Sequence, residues 1–155
     1  MSKPADPITG GCQCGAVRYA MHVAQVEKPH VCHCRMCQRA TGGVFAALAG
    51  CAKANLEWTK GQPAFYQSSN LAKRGYCRDC GTPLTFAYDL PEARIYVTIG
   101  SLDHPELAAI EIQYGLEGKI SWVKFCEDVP GQITGATPEE AQFFAGMKSR
   151  QGGAG

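Results

Sequence analysis

The sequence predicts a mainly β protein of antiparallel sheets with one short C-terminal helix. Apolar and polar residues alternate along seven short segments, turn-forming residues separate them, and the one well-signalled helix start lies near the C-terminus. Alternation marks strands at about Ala16–Val23, Val44–Ala49, Ala64–Ser68, Leu84–Tyr88, Ile95–Ile99, Ala109–Gln113 and Ile120–Phe125. In each, every second side chain would face a core and the others solvent. Lys60-Gly61-Gln62-Pro63, Asp89-Leu90-Pro91 and Glu117-Gly118-Lys119 supply turn chemistry between these runs. Connections this short join strands that run antiparallel. The helix starts at Thr137-Pro138-Glu139-Glu140, where Thr137 is an N-cap, Pro138 fits the first helical position and Glu140 completes a capping box. It should run to about Met147, leaving a small, polar, frayed end at Gln151–Gly155.

The bulk composition fits one compact domain: 155 residues, 45% hydrophobic. A formal net charge of +1 lacks the basic footprint of a nucleic-acid partner. The N-terminal MSKPADPITGG has no apolar run of the signal-peptide kind, and nowhere do 18 apolar residues follow one another. No membrane role is expected, and a cytoplasmic location is. Nine cysteines then point to metal, because a reducing compartment disfavours a disulfide framework and an odd number cannot pair completely.

Seven of the nine lie in tight clusters. Cys12-Gln13-Cys14 and Cys32-His33-Cys34 share a spacing that, in extended chain, turns both thiols to the same face. Cys77-Arg78-Asp79-Cys80-Gly81 has the two-residue gap that lets a tight turn present both sulfurs to one ion, and no βαβ context suggests a redox pair instead. Soft thiolates favour zinc; four close a structural site, whereas three leave a position open. Cys32, Cys34 and Cys37 are contiguous and would form the three-thiol site, with Cys12, Cys14, Cys77 and Cys80 as the closed one. Spacing alone equally allows Cys32 and Cys34 to close with Cys77 and Cys80, leaving Cys37 idle.

Four ordered stretches, GGCQCGAVRY at 10–19, CHCRMCQRATGG at 32–43, RGYCRDCGTPL at 74–84 and IGSLDHPE at 99–106, resemble the glutathione-dependent formaldehyde-activating family, which also includes centromere protein V. The resemblance runs from about Gly10 to Pro130. It implies a zinc-binding domain over 10–130, with a tail at 1–9 and a helix and frayed end at 131–155. It also implies a β-tent fold stapled by a structural zinc on Cys12, Cys14, Cys77 and Cys80, and a second, labile zinc on Cys32, Cys34 and Cys37, which is two zinc ions per chain. The implied activity is that of a carbon-sulfur lyase, similar to S-(hydroxymethyl)glutathione synthase. In the family's type reaction the sulfur of glutathione adds to formaldehyde to give S-hydroxymethylglutathione. The implied partner is glutathione or another small thiol or thiol-aldehyde adduct.

Seven thiolates offset by two dications lower the formal charge from +1 to about −2. A three-thiolate zinc is an electron-rich, weak Lewis acid better suited to holding an incoming thiolate than to activating water. Other residues carry weaker signals. Thr41, Gly42 and Gly43 offer either backbone amides for an anionic ligand or a plain turn, and Arg74 either a partner for a substrate carboxylate or a solvated charge. Alternation turns His33 away from the metal into a surface or hydrogen-bonded role. His30 is the better candidate to close the second site, which would make the protein a non-catalytic, zinc-stabilised binding module. His22 and His104 lack metal spacing; Cys51 and Cys126 read as small buried residues; Phe45, Trp58 and Trp122 read as core.

Overall fold

The computed structural model describes residues 6–91, 94–125 and 128–148. Among these residues eleven strands form two sheets, accompanied by two α-helices. Strands β1 (Ile8–Gly11), β2 (Arg18–Met21) and β5 (Leu56–Lys60) make a three-stranded antiparallel sheet in the order β1-β2-β5. The larger sheet contains β3 (Glu27–Cys32), β4 (Ala46–Ala52), β6 (Ala64–Gln67), β7 (Ala72–Tyr76), β8 (Pro83–Tyr88), β9 (Arg94–Thr98), β10 (Ile112–Tyr114) and β11 (Gly131–Gln132). Its spatial order is β11-β10-β3-β4-β9-β8-β7-β6. Helix α1 spans Arg35–Thr41 and α2 spans Pro138–Ala145.

The mainly β, mostly antiparallel architecture is as the sequence predicts, with differences of physical origin. The parallel pairings are β10 with β3 and with β11. Ile120–Phe125 is not a strand: the Val123 N–H donates to the Ile120 carbonyl at 3.0 Å, closing a turn, and Trp122 stands 68% exposed rather than in the core. Alternation in that stretch therefore reflects one buried residue, Val123, in a turn. Strands β1, β3, β5, β7 and β11 escape a periodicity search because they are short or, like Glu27–Cys32, carry charge and proline. Helix α2 starts as expected, with Thr137 Oγ1 accepting the Glu140 N–H at 3.2 Å. The Glu140 carboxylate, however, accepts Gln132 Nε2 at 2.8 and 3.0 Å. Cys126 and residues 151–155 lie outside the described residues.

The main core joins the two sheets. Val17, Tyr19 and Met21 pack with Cys51, Leu84 and Val97, and Trp58 lies edge-on to Tyr19 at 5.9 Å. Cys51 is fully buried there, as its residue type suggests. A polar lock supplements this packing. Tyr19 Oη lies 2.7 Å from Ser101 Oγ, and Asp103 accepts Thr9 Oγ1 at 2.6 Å and Arg18 Nη1 at 2.9 Å. The IGSLDHPE stretch therefore works as a structural tie between the small sheet and the loop after β9.

The other face of the large sheet is built by register. Cys32 stands opposite Ala46 and Tyr114, His30 opposite Leu48, Tyr96 opposite Gly50 and Phe86, and Phe86 opposite Arg74. Directly opposed residues share a face, so these side chains all point away from the main core. On β4 the division is visible residue by residue: Ala49 and Cys51 join the main core, whereas Ala46 and Leu48 pack with Cys37.

The Asp103 tie has a pH signature. Its carboxyl is held below the usual carboxylate range by hydrogen bonds from Arg18 and then Thr9. A depressed folded-state pKa contributes stability that is present above the unfolded value of about 3.9 and is lost as pH falls through the folded value. Asp103→Asn should therefore lower the melting temperature at neutral pH, and the gap to wild type should narrow as the pH is brought below about 4. Thermal melts across that pH range check it; a gap that widens in acid would be the contrary result.

Candidate functional site

Two clusters of sulfur atoms form where the chain turns. Cys12 follows β1 and Cys14 lies in the turn before β2; Cys77 follows β7 and Cys80 precedes β8. Each pair is thus the tip of a hairpin, one from each sheet. The tips are built alike. Cys12 N–H donates to Val17 O at 3.0 Å and Gly15 N–H to Cys12 O at 3.1 Å; Cys77 N–H donates to Thr82 O at 2.9 Å and Gly81 N–H to Cys77 O at 2.8 Å. Gly15 and Gly81 take φ of 78° and 77°, a left-handed conformation that glycine adopts without steric cost. The Gln13 N–H crosses to Thr82 Oγ1 at 3.1 Å, fastening tip to tip.

All four sulfurs lie within 4.8 Å of one another, with Cys12 to Cys14 at 3.6 Å and Cys14 to Cys77 at 3.8 Å. Four thiolates on a zinc at the usual bond length of roughly 2.3 Å would stand about 3.8 Å apart at the corners of a tetrahedron. Donor set and spacing fit that ion. The thiols differ: Cys80 is drawn down to about 6 by the Thr82 hydroxyl and then the Thr82 N–H, whereas Cys14 and Cys77 are raised.

Cys32, Cys34 and Cys37 form the second cluster, also within 4.8 Å. Cys32 ends β3, Cys34 caps the N-terminus of α1 and Cys37 lies in its first turn; Cys34 Sγ accepts the Cys37 N–H at 3.4 Å. The sequence reading of Cys32 and Cys34 as an extended pair missed this helix. The signals that could have found it are the three-residue step from Cys34 to Cys37 and the glycine that ends the run. Buried Gln38 clamps the helix by donating Nε2 to His33 O at 2.7 Å and Gly118 O at 2.9 Å. The chain then passes so close that a Cβ on Gly115, already at φ 66°, would lie 2.8 Å from the Cys34 nitrogen.

The alternative grouping of Cys32 and Cys34 with Cys77 and Cys80 is not what the fold brings together. His30 is not among the donors that meet within 4.8 Å; its Nδ1 lies 2.8 Å from Lys28 O, and its ring stands edge-on to Tyr96 and Tyr114. Burial pushes it below the usual imidazole range. His33 is fully buried, with Nε2 2.9 Å from Gln113 Oε1, a hydrogen-bonded role. His22 and His104 are exposed beside Glu57 and Glu106.

Arg74 is not a solvated charge. It is 7% exposed, lies over the Phe86 ring at 4.8 Å and donates Nη2 to Cys37 Sγ at 3.4 Å. Cys37 is held well below the ordinary thiol range by hydrogen bonds from Cys32 and Cys34 and by the Arg74 cation, while Cys32 is pushed up by Cys34, Cys37 and burial. The neighbouring thiols and Arg74 thus favour the anionic form at Cys37, and a dication would draw off the thiol protons of all three. Gly42 is the C-cap of α1, its N–H donating to Gln38 O at 2.8 Å. Thr41 donates Oγ1 to Cys37 O at 2.9 Å and lines a cavity of about 260 Å³ that Arg74 also lines; Gly43 continues the turn into β4.

A larger cavity of about 610 Å³ opens over the three-thiol cluster. Phe86, Tyr88 and Tyr96 form its sheet side, and α2 closes another side with Phe143 and Phe144, 5.2 and 6.2 Å from the Tyr88 ring. Sequence reading placed no aromatic residue here, because strand pairing gathers Phe86, Tyr88 and Tyr96 and the packing of α2 adds Phe143 and Phe144.

The family model described as glutathione-dependent formaldehyde-activating enzyme matches residues 7–115. The chain belongs to this family. It is 33% identical over 81 residues to an uncharacterized lyase of Schizosaccharomyces pombe, a match covering 51% of this chain and 56% of that protein. The chain thus spans about half the length of the curated relative it matches. A crystal structure of a Rhodobacter sphaeroides protein is similar at a TM-score of 0.47 and 21% identity, covering 81% of this chain and 100% of that one. No helix among the described residues is long and apolar enough to cross a membrane.

The two clusters should respond differently to loss of one thiol. A structural zinc contributes on the order of 10 kcal/mol that is realised as folding, so Cys77→Ser should lower the melting temperature severely and Cys34→Ser much less. Melts of the two variants check this, and equal collapse would make both clusters structural. Protein purified without chelator should carry two zinc ions by elemental analysis, one of which a mild chelator removes first.

Proposed function

We propose that the chain is a zinc-dependent carbon-sulfur lyase acting on thiol-aldehyde adducts, with glutathione plus formaldehyde as the family's type pair. In this reading the domain at 10–130 carries both metals, and the segment with α2, from Gln132 to Met147, completes the pocket. The observation that carries the proposal is the convergence of three sulfurs, those of Cys32, Cys34 and Cys37, at a cavity large enough for a small molecule; no fourth His, Cys, Asp or Glu joins them among the described residues. Cys12, Cys14, Cys77 and Cys80 would hold the structural ion.

A zinc held by Cys32, Cys34 and Cys37 would supply one exchangeable position with affinity for a thiolate. The chain's own residues do the rest. The Arg74 guanidinium offsets the anionic charge that builds up when a further sulfur approaches. Phe86 and Tyr96 pack against the cluster and give the cavity an apolar wall beside it. Gln38, through the carbonyls of His33 and Gly118, fixes the start of α1 and with it Cys34 and Cys37.

In the forward direction the thiol gives its proton to solvent and a sulfur lone pair forms the carbon-sulfur bond. The carbonyl π pair moves to oxygen, which takes up a proton, so no oxidant or reductant is needed. Nine thiols in a cytoplasmic, reducing setting would remain free to bind metal.

Magnetisation-exchange NMR on the zinc-replete protein with formaldehyde and either 2-mercaptoethanol or glutathione tests the reading. Adduct interconversion should run faster than the spontaneous rate, and Cys34→Ser should abolish the acceleration. A spontaneous rate with both thiols would reject catalysis and leave a non-catalytic binding module.

A further inference from the structure

Resting on the thiol-adduct reading above, we infer that this chain's substrate carries an aromatic or otherwise apolar, uncharged body, and that helix α2 selects it. The face opposite the main core is aromatic by register, with Phe86 against Tyr96 and Cys32 against Tyr114. Phe143 and Phe144 complete this lining from α2. A cavity of about 610 Å³ with walls of this kind is built to remove a ring from water.

Charge argues the same way. Three carboxylates, those of Glu117, Glu139 and Glu140, line the cavity with two permanent cations, Lys28 and Arg74. Arg74 is already committed to Cys37 Sγ at 3.4 Å, which leaves Lys28 facing three acids. A ligand such as glutathione, with two carboxylates and one ammonium, would bring net negative charge into a wall that is itself negative. Glu117, Glu139 and Lys28 stand exposed at the rim and Glu140 is half-buried, so this repulsion acts at the cavity mouth and is weakened by salt. A neutral apolar body meets no such opposition.

Helix α2 is held in place rather than loosely apposed. Asn70 grips its C-terminal end: Nδ2 donates to Gly146 O at 2.7 Å, and Oδ1 accepts the Lys148 N–H at 2.6 Å. Glu140 holds the other end to Gln132 at 2.8 Å. Yet the family match ends at residue 115. The sulfur cluster therefore lies in the part of the chain shared with the family, whereas the wall carrying Phe143 and Phe144 lies in the part that is not matched. That is the arrangement expected where chemistry is common and the substrate body differs.

Isothermal titration calorimetry of the zinc-loaded protein with 2-phenylethanethiol, 2-mercaptoethanol and glutathione tests the inference. The aromatic thiol should bind about tenfold or more tightly than either of the others, the scale set by burying a ring's apolar surface. The double substitution Phe143→Ala/Phe144→Ala should cancel its advantage over 2-mercaptoethanol. Glutathione binding as tightly as 2-phenylethanethiol to the unsubstituted protein would overturn the inference, whatever the variant's folding. So would an aromatic advantage that survives loss of both phenylalanines in a variant with a wild-type melt. If 2-mercaptoethanol binds in a Cys34-dependent way while the ranking fails, this inference falls and the thiol-adduct reading stands. If no thiol's binding depends on Cys34, both fall together.

Discussion

Strand register in the eight-stranded sheet is the constraint on which the rest of the molecule depends. A slip of one residue on any strand would turn its side chains to the opposite face. On β4 that slip would exchange Ala49 and Cys51, which pack against the small sheet, with Ala46 and Leu48, which pack against Cys37. Both sets are apolar and buried, so fit rather than polarity distinguishes them: small Ala49 and Cys51 pack in the main core, and the larger Leu48 packs against Cys37. The candidate site then follows, because pairing Cys32 with Tyr114, Tyr96 with Phe86 and Phe86 with Arg74 leaves those side chains no other direction. A site placed in this way needs no stabilisation of its own beyond that of the core beneath it.

Charge is the second constraint. Three thiols within 4.8 Å cannot all ionise without a cation nearby. The chain supplies one in Arg74, held between the Phe86 ring and Cys37 Sγ. A guanidinium is suited to this position because it remains charged when buried, and its planar face packs on an aromatic ring while its edge donates hydrogen bonds. With a dication also present, three thiolates would carry net −1 and Arg74 would bring the local total near zero. The hairpin-tip cluster is handled differently: Cys14 and Cys80 lie at the surface, where water screens their charge.

What could be read from the sequence divides along local and non-local lines. Spacings of two and three residues mark out the cysteine clusters but leave their partition open; the family resemblance implies four and three, and the fold brings together the same four and three. The start of α2 was legible because Thr137 and Pro138 act within one turn. The role of Arg74 was not, since its partner Cys37 lies 37 residues away and on another element. Nor was α1, because seven residues with two arginines and a glutamine show no apolar stripe; the helix is held instead by Cys34 at its N-cap and Gln38 reaching two carbonyls. Alternation at Ile120–Phe125 was genuine, but alternation is necessary for a half-buried strand and not sufficient: a strand also needs a neighbour, and here the backbone bonds to itself.

The two sulfur clusters thus follow from one rule applied in two settings. At the hairpin tips the sulfurs come from four positions on two separate turns, so that an ion held there must join the two sheets, and removing any ligand loosens a joint. At β3 and α1 the three sulfurs come from six consecutive residues already fixed by the sheet and by Gln38, so an ion held there joins little that is not already joined. A site that contributes little to holding the fold can exchange a ligand without unfolding the chain. It is also the site over which the aromatic cavity opens. In the proposed reading lability and access would therefore coincide at Cys32, Cys34 and Cys37 for a topological reason: the same local clustering that would make an ion there unnecessary to the fold leaves one side of the cluster to the cavity.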